Sequence, residues 1–220
     1  MEERKEWIFI FGLTLVALMF SVASIFMPWW RVTYTRESMI TQNMSISAEY
    51  GLLQTVSASK TFKGGSSTSP TNCTISFANL TGNVADISAL SSVFSNAFAL
   101  TVGGLALTAL SAVLIFVSGF RKPTLISYVK FTGIIAAIVL VAASIYFWAE
   151  MPPVISKLTN VIPAEISNLS GKVVNGFWGS WKQWIWGPAF GWFLTFTAFL
   201  LNAATFMLVH TLYSKKVKET

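Results

Sequence analysis

The sequence predicts an integral membrane all-α four-helix transmembrane bundle with a small extracellular antiparallel β-sheet. Three observations lead there. Hydrophobic residues make up 54% of the 220 residues and charged ones only 11%, with a mean hydropathy of +0.62, a balance typical of membrane proteins. Four nearly charge-free stretches are each long enough to cross roughly 30 Å of hydrocarbon as a helix of about 20 residues. Between the first two stretches, short β-branched and aromatic runs alternate with polar turn-formers, the texture of strands.

The spans are assigned to residues 7–30, 94–120, 124–149 and 187–213. The first exceeds the apolar core of a signal peptide and no small-residue cleavage site follows it, so it is expected to stay in the mature chain. Basic residues set the orientation. Arg4 and Lys5 precede the first span, Arg121, Lys122 and Lys130 lie around the turn between the second and third, and Lys215, Lys216 and Lys218 follow the fourth. Such crowding into short segments places the N-terminus (1–6), the turn (121–123) and the C-terminus (214–220) in the cytoplasm. A net charge of +6 then reports topology and contact with anionic lipid. Nucleic acid is not an expected partner; membrane lipids are.

Two outer loops remain, 31–93 and 150–186. In the first, "RVTYT", "MSISAEY", "LLQTVSA" and "NCTISFAN" alternate partially and are separated by segments such as Lys63-Gly64-Gly65-Ser66-Ser67. A small antiparallel sheet is expected, with a flexible Ser/Thr-rich loop as the alternative. In the second, Ile166, Leu169 and Val173 recur at helical spacing behind Pro163, predicting a helix across "PAEISNLSGKVV" that rests one face on the bilayer or on the sheet. Trp178, Trp181, Trp184 and Trp186 follow. Indole rings settle at the headgroup level, so this segment reads either as an aromatic belt or as a platform for a protein, lipid or quinone-like ligand.

The sequons at Asn43, Asn72, Asn79 and Asn168 all fall in the outer loops and are candidate N-glycosylation sites. Cys73 is the only cysteine. No disulfide within the chain can therefore hold the sheet, which must rely on hydrogen bonds and packing or on pairing with another chain.

Catalytic signatures are missing. One His and one Cys cannot supply a metal site of the usual kind. Neither a nucleophile elbow nor a phosphate-binding loop is present, and Gly103-Gly104 lacks a strand-turn-helix context. No metal, cofactor or catalytic residue is expected, and the chain reads as non-enzymatic. Carboxylates are absent from the spans, which leaves His210 an interfacial ring and argues against ion-coupled transport. Asn202 reads as an interhelical hydrogen-bonding group. Gly104, Thr108 and Ala112 recur at four-residue steps in the second span, and Gly133 and Ala137 repeat that spacing in the third, predicting close helix packing in a compact bundle.

The order of parts resembles the claudin, PMP22 and stargazin superfamily of tetraspan proteins. "MPWWRV" at 27–32 is similar to the family's Pro-x-Trp-Arg-Val, with Trp30 at its first signature Trp. "YGLLQ" at 50–54 resembles the Gly-Leu-Trp box, "ALTV" at 99–102 the opening of the second span, and "GPAFGWFLTF" at 187–196 the beginning of the last. Leu53 stands where the box has Trp, and the family's pair of loop cysteines is absent. The resemblance implies a left-handed bundle with an extracellular sheet whose loop is anchored by Trp30, Gly51 and Leu52. It also implies a non-enzymatic role in the plasma membrane: membrane organisation, cell-cell contact or lateral assembly with itself or another membrane protein. Alternatives are an accessory subunit of a larger membrane enzyme or transport complex, and a paracellular-type pore with Glu49, Asp86 or Lys60 setting charge selectivity. At the junction "MPWWRVTY", Trp29 and Arg31 are expected to mark the outer interface and Trp30 to turn inward.

Overall fold

The computed structural model describes residues 2–36, 43–63, 71–77, 84–120, 125–155, 176–181 and 184–219. The sequons at Asn79 and Asn168, the turn 121–123 and the helix expected over "PAEISNLSGKVV" lie outside them. Four long helices and six strands follow in the order α1 (Glu2–Phe26), β1 (Pro28–Arg36), β2 (Asn43–Gly51), β3 (Thr55–Lys63), β4 (Thr71–Ser76), α2 (Val84–Phe120), α3 (Ile126–Ile155), β5 (Gly179–Trp181), β6 (Trp184–Pro188) and α4 (Phe190–Glu219). Each helix contains a segment long and apolar enough to cross a membrane: Lys5–Phe26, Ile87–Gly119, Ile126–Val154 and Phe190–Leu212.

The element boundaries differ from those expected. The first span was expected to reach residue 30, yet α1 stops at Phe26 and Pro28 already opens β1. Pro28 cannot donate an amide to continue the helix. Helix α2 starts at Val84, well before residue 94. Its early turns carry an apolar face, with Leu90, Val93 and Phe94 all buried. Helix α3 runs past residue 149 to Ile155, and its last turn contains Pro152 and Pro153. The fourth helix opens at Phe190, because Gly187 and Pro188 belong to β6.

The chain divides into two compact units. The first comprises Met1–Ile25, Phe98–Ser144 and Phe193–Thr220, and the second Phe26–Ala97 and Ile145–Trp192. In the first, all four helices meet around Ile10, Ile115, Ile126, Val129 and Val209. Buried hydroxyls are numerous here, and most bond within their own helix. Thr14 donates to the Ile10 carbonyl, Ser21 to Ala17 and Ser144 to Leu140, which satisfies a polar group where no water competes. Between helices, Ser111 donates to Thr132 at 2.9 Å, and the Thr108 hydroxyl, which donates to the Gly104 carbonyl at 2.8 Å, lies 3.4 Å from Asn202 Oδ1. Gly104 brings α2 against α3, since a Cβ there would lie 2.6 Å from Leu140. Thr108 and Ala112 are buried along the same helix, as are Gly133 and Ala137 on α3. Gly133 faces Phe206 of α4 rather than α2.

The second unit is built on one antiparallel sheet of order β4-β3-β2-β1-β6-β5. The expected strands "RVTYT", "MSISAEY" and "NCTISFAN" correspond to β1, β2 and β4, while Leu52 to Gln54 of "LLQTVSA" form the turn ahead of β3. Strands β5 and β6 come from the second loop. No strand was expected in its Trp-rich segment, yet β6 pairs with β1 from Trp30↔Pro188 to Tyr34↔Trp184. The Trp-rich segment thus spends its backbone donors on a ladder.

Candidate functional site

Alternation gives the sheet two chemically opposite faces. One is buried and aromatic. Trp30, Val32, Ala48, Tyr50, Val56 and Trp186 are all buried on it. Rings connect in series beneath: Tyr50 to Phe77 and Phe94, Phe94 to Phe147 at 5.2 Å, and Phe147 to Trp29, Trp30 and Phe177. Phe177 continues the series to Trp192. Most of these pairs are edge-on or tilted, the arrangement in which ring quadrupoles attract, worth about 0.5–1.5 kcal/mol each beyond area burial.

Trp29 was expected at the outer interface; it is fully buried instead. The cause is a bulge. Pro28 pairs with Gly51 and Trp30 with Tyr50, so Trp29 is an extra residue in β1. An extra residue breaks the two-residue alternation, letting adjacent side chains reach one side of the sheet. Both indoles have zero exposure. The close approach extends to α4, where a Cβ on Gly191 would lie 2.5 Å from Trp29 Cδ1 and 2.8 Å from the Met27 carbonyl oxygen. Trp30 Nε1 is buried without a hydrogen-bond partner among the described residues.

The turn between β2 and β3 holds the other expected anchors. Leu52 is buried and Gly51 accepts from the Gln54 amide at 3.1 Å. Gln54 itself went unnoticed in the sequence. Its φ of 57° is left-handed, an arrangement costing an L-residue roughly 1–2 kcal/mol. In return its carbonyl accepts from the Phe77 amide at 2.8 Å, and its side-chain Oε1 from Ser91 at 3.2 Å. Gln54 therefore ties the hairpin to the end of β4 and to α2.

The opposite face is accessible and rich in hydroxyls. Arg31, Thr35, Ser57, Thr74 and Ser76 are exposed, and Thr33, Ser45, Ser47, Glu49 and Ser59 partly so. Register aligns them in rows across the strands: Arg31↔Glu49↔Ser57↔Thr74 and Thr33↔Ser47↔Ser59. Ser47 and Ser59 share a hydrogen bond of 2.8 Å, Ser57 and Thr74 one of 3.2 Å. One ion pair, Arg31 to Glu49 at 2.5 Å, spans the first row, so Glu49 is not a free charge. Ile185 adds an apolar side chain, 62% exposed, in the row of Thr33. Lys60 pairs with Ile46 and Thr71 in the ladder, and Asp86 falls in the opening turn of α2.

The four tryptophans of the second loop play different parts. Trp178 is 63% exposed. Trp186 is buried and donates from Nε1 to the Gly176 carbonyl at 3.2 Å. Its ring lies over Gly179, where a Cβ would approach within 2.6 Å. Trp181 and Trp184 pair in the β5–β6 ladder. Of the sequons, Asn43 opens β2 opposite Lys63, and Asn72 lies on β4 opposite Ser59. Strands β4 and β5 end the sheet, each paired on one side only among the described residues. No group of three or more metal-ligating side chains occurs among those residues. Burial pushes the Tyr50 hydroxyl well above its ordinary 10.0, which makes it a neutral core group. No protein-family model matches the chain, and no curated protein matches it.

Proposed function

We propose that this chain is a non-enzymatic, multi-pass plasma-membrane protein of claudin-like architecture, its sheet outside the cell and both termini in the cytoplasm, that organises the membrane by lateral assembly. The observation that carries this reading is the accessible face of the sheet. Among the described residues it has rows of Ser and Thr hydroxyls, one internally neutralised ion pair and an exposed Ile185. Such a face has little charge to desolvate, offers donors and acceptors at strand spacing, and suits a second flat surface of similar composition. The opposite face is closed by its own aromatic core, and no group of three or more metal-ligating side chains occurs among the described residues.

A photo-crosslinking residue in place of Thr35 in intact cells tests this. Discrete homo-oligomers are expected, and Ser47→Lys with Ser57→Lys should lower their yield roughly tenfold, since each would bury a like charge against its copy. Monomer alone at native expression would sink the proposal. Capture of one foreign membrane protein in place of a ladder would transfer the same face to an accessory-subunit role.

A further inference from the structure

A groove of about 360 Å³ opens between α1 and α4 in the helical unit, toward the small end of the roughly 300–1,000 Å³ typical of ligand pockets. Its walls are Phe9 and Ile10 from α1 and Leu208 and Leu212 from α4, with Lys5 and Glu6 at its lip. Lys5 begins the first membrane-spanning segment and Leu212 ends the fourth, so the groove changes from charged to apolar where the two spans meet the headgroup level. Lys5 and Glu6 are both exposed. Neither is ion-paired among the described residues. Thr211 also lines the groove, and its hydroxyl proton is committed to the Met207 carbonyl at 2.9 Å. Toward a ligand, Thr211 is therefore an acceptor.

We propose that this groove binds one phospholipid with a phosphoethanolamine headgroup. An acyl chain fills the space among Phe9, Ile10, Leu208 and Leu212. Its phosphate meets the Lys5 ammonium, and its primary ammonium donates to the Glu6 carboxylate and the Thr211 hydroxyl. Among the described residues the lip offers one cation, one anion and a further acceptor, which is the complement of that zwitterion. A choline headgroup has no N–H to donate, and a glycerol headgroup brings no cation to Glu6. The site rests on the membrane reading of the four helices and not on assembly through the sheet.

Native mass spectrometry of the full chain in mild detergent tests it, with dioleoyl phosphatidylethanolamine, phosphatidylcholine and phosphatidylglycerol as probes. Retention of the ethanolamine lipid is expected to exceed choline by roughly two- to fivefold, the size of one solvent-exposed charged contact. Glu6→Gln, an exposed helical position that folding should tolerate, is expected to remove that preference, and Leu208→Trp to fill the groove and reduce every adduct. Equal retention of the three lipids, tighter retention of the glycerol lipid, or a preference unchanged by both variants would each overturn the proposal. So would a crosslink between Lys5 and α4 of a second copy in place of lipid. Loss of sheet-mediated oligomers leaves the expected lipid adducts unchanged, whereas extraction without detergent would sink the membrane reading beneath both proposals.

Discussion

Tyr50 shows how a single residue reports the state of the sheet's core. Its side chain is 4% exposed beside the rings of Phe77 and Phe94, and desolvation there disfavours the phenolate. The folded-state value is raised above the ordinary 10.0. Below pH 10 the hydroxyl is neutral in folded and unfolded chains alike. Above it the unfolded chain releases a proton that the folded chain keeps, so the unfolded state is favoured and stability falls as pH rises, by at most about 1.4 kcal/mol per pH unit from this group. Tyr50→Phe should flatten that slope. Denaturant titrations at pH 9, 10 and 11 compare the two proteins, and parallel alkaline slopes would show that Tyr50 is not held neutral.

At the scale of elements, legibility followed locality. The four apolar spans and the first-loop strands are encoded by nearby residues, in hydropathy and in alternation, and the sequence shows them. Pairing of β6 with β1 joins positions far apart in the chain, so no local period announces it. "WIWGP" did carry a two-residue alternation, with Trp184 and Trp186 flanking Ile185, but interfacial enrichment of Trp offered an equally good local explanation. The bulge at Trp29 was hidden for a related reason: two adjacent aromatics imply opposite faces unless an extra residue is known. Likewise, Leu90, Val93 and Phe94 already held the helical spacing that extends α2, beneath a polar composition that hides it from a hydropathy reading.

Strands β5 and β6 are also where an element-scale prediction is sharpest. Gly179 lies directly opposite Trp186, and a Cβ there would meet the indole at 2.6 Å, well inside normal contact. Because that ring is held by its bond to Gly176 and buried on the core side, it cannot yield without disturbing β6. Gly179→Ala should cost about 1–3 kcal/mol, the usual penalty for overpacking. Hydrogen exchange is expected to accelerate at the amides of 184–187 and to stay unchanged in 101–118 of α2. Unaltered exchange in β6 would mean that Trp186 has room to move.

Over the whole molecule, four apolar helices make an even number of crossings, so both ends of the chain share one side and both loops the other, if every helix spans. Which side is which depends on charge. The short flanks and the 121–123 turn concentrate Arg4, Lys5, Arg121, Lys122, Lys215, Lys216 and Lys218, and such clusters are retained in the cytoplasm during insertion. The proposed orientation therefore places Ser57 outside and the C-terminal tail inside. With Cys73→Ser as the background no other thiol remains, and Ser57 is exposed on the sheet. With Ser47→Lys added to open the assembly face, Ser57→Cys should react with a membrane-impermeant maleimide on intact cells, while Glu219→Cys should react only after permeabilisation. The reverse pattern would invert the topology, and labelling of both in intact cells would show that the charge bias fails to select one orientation. The reverse pattern would also remove the sheet from the outer surface on which the proposed assembly depends.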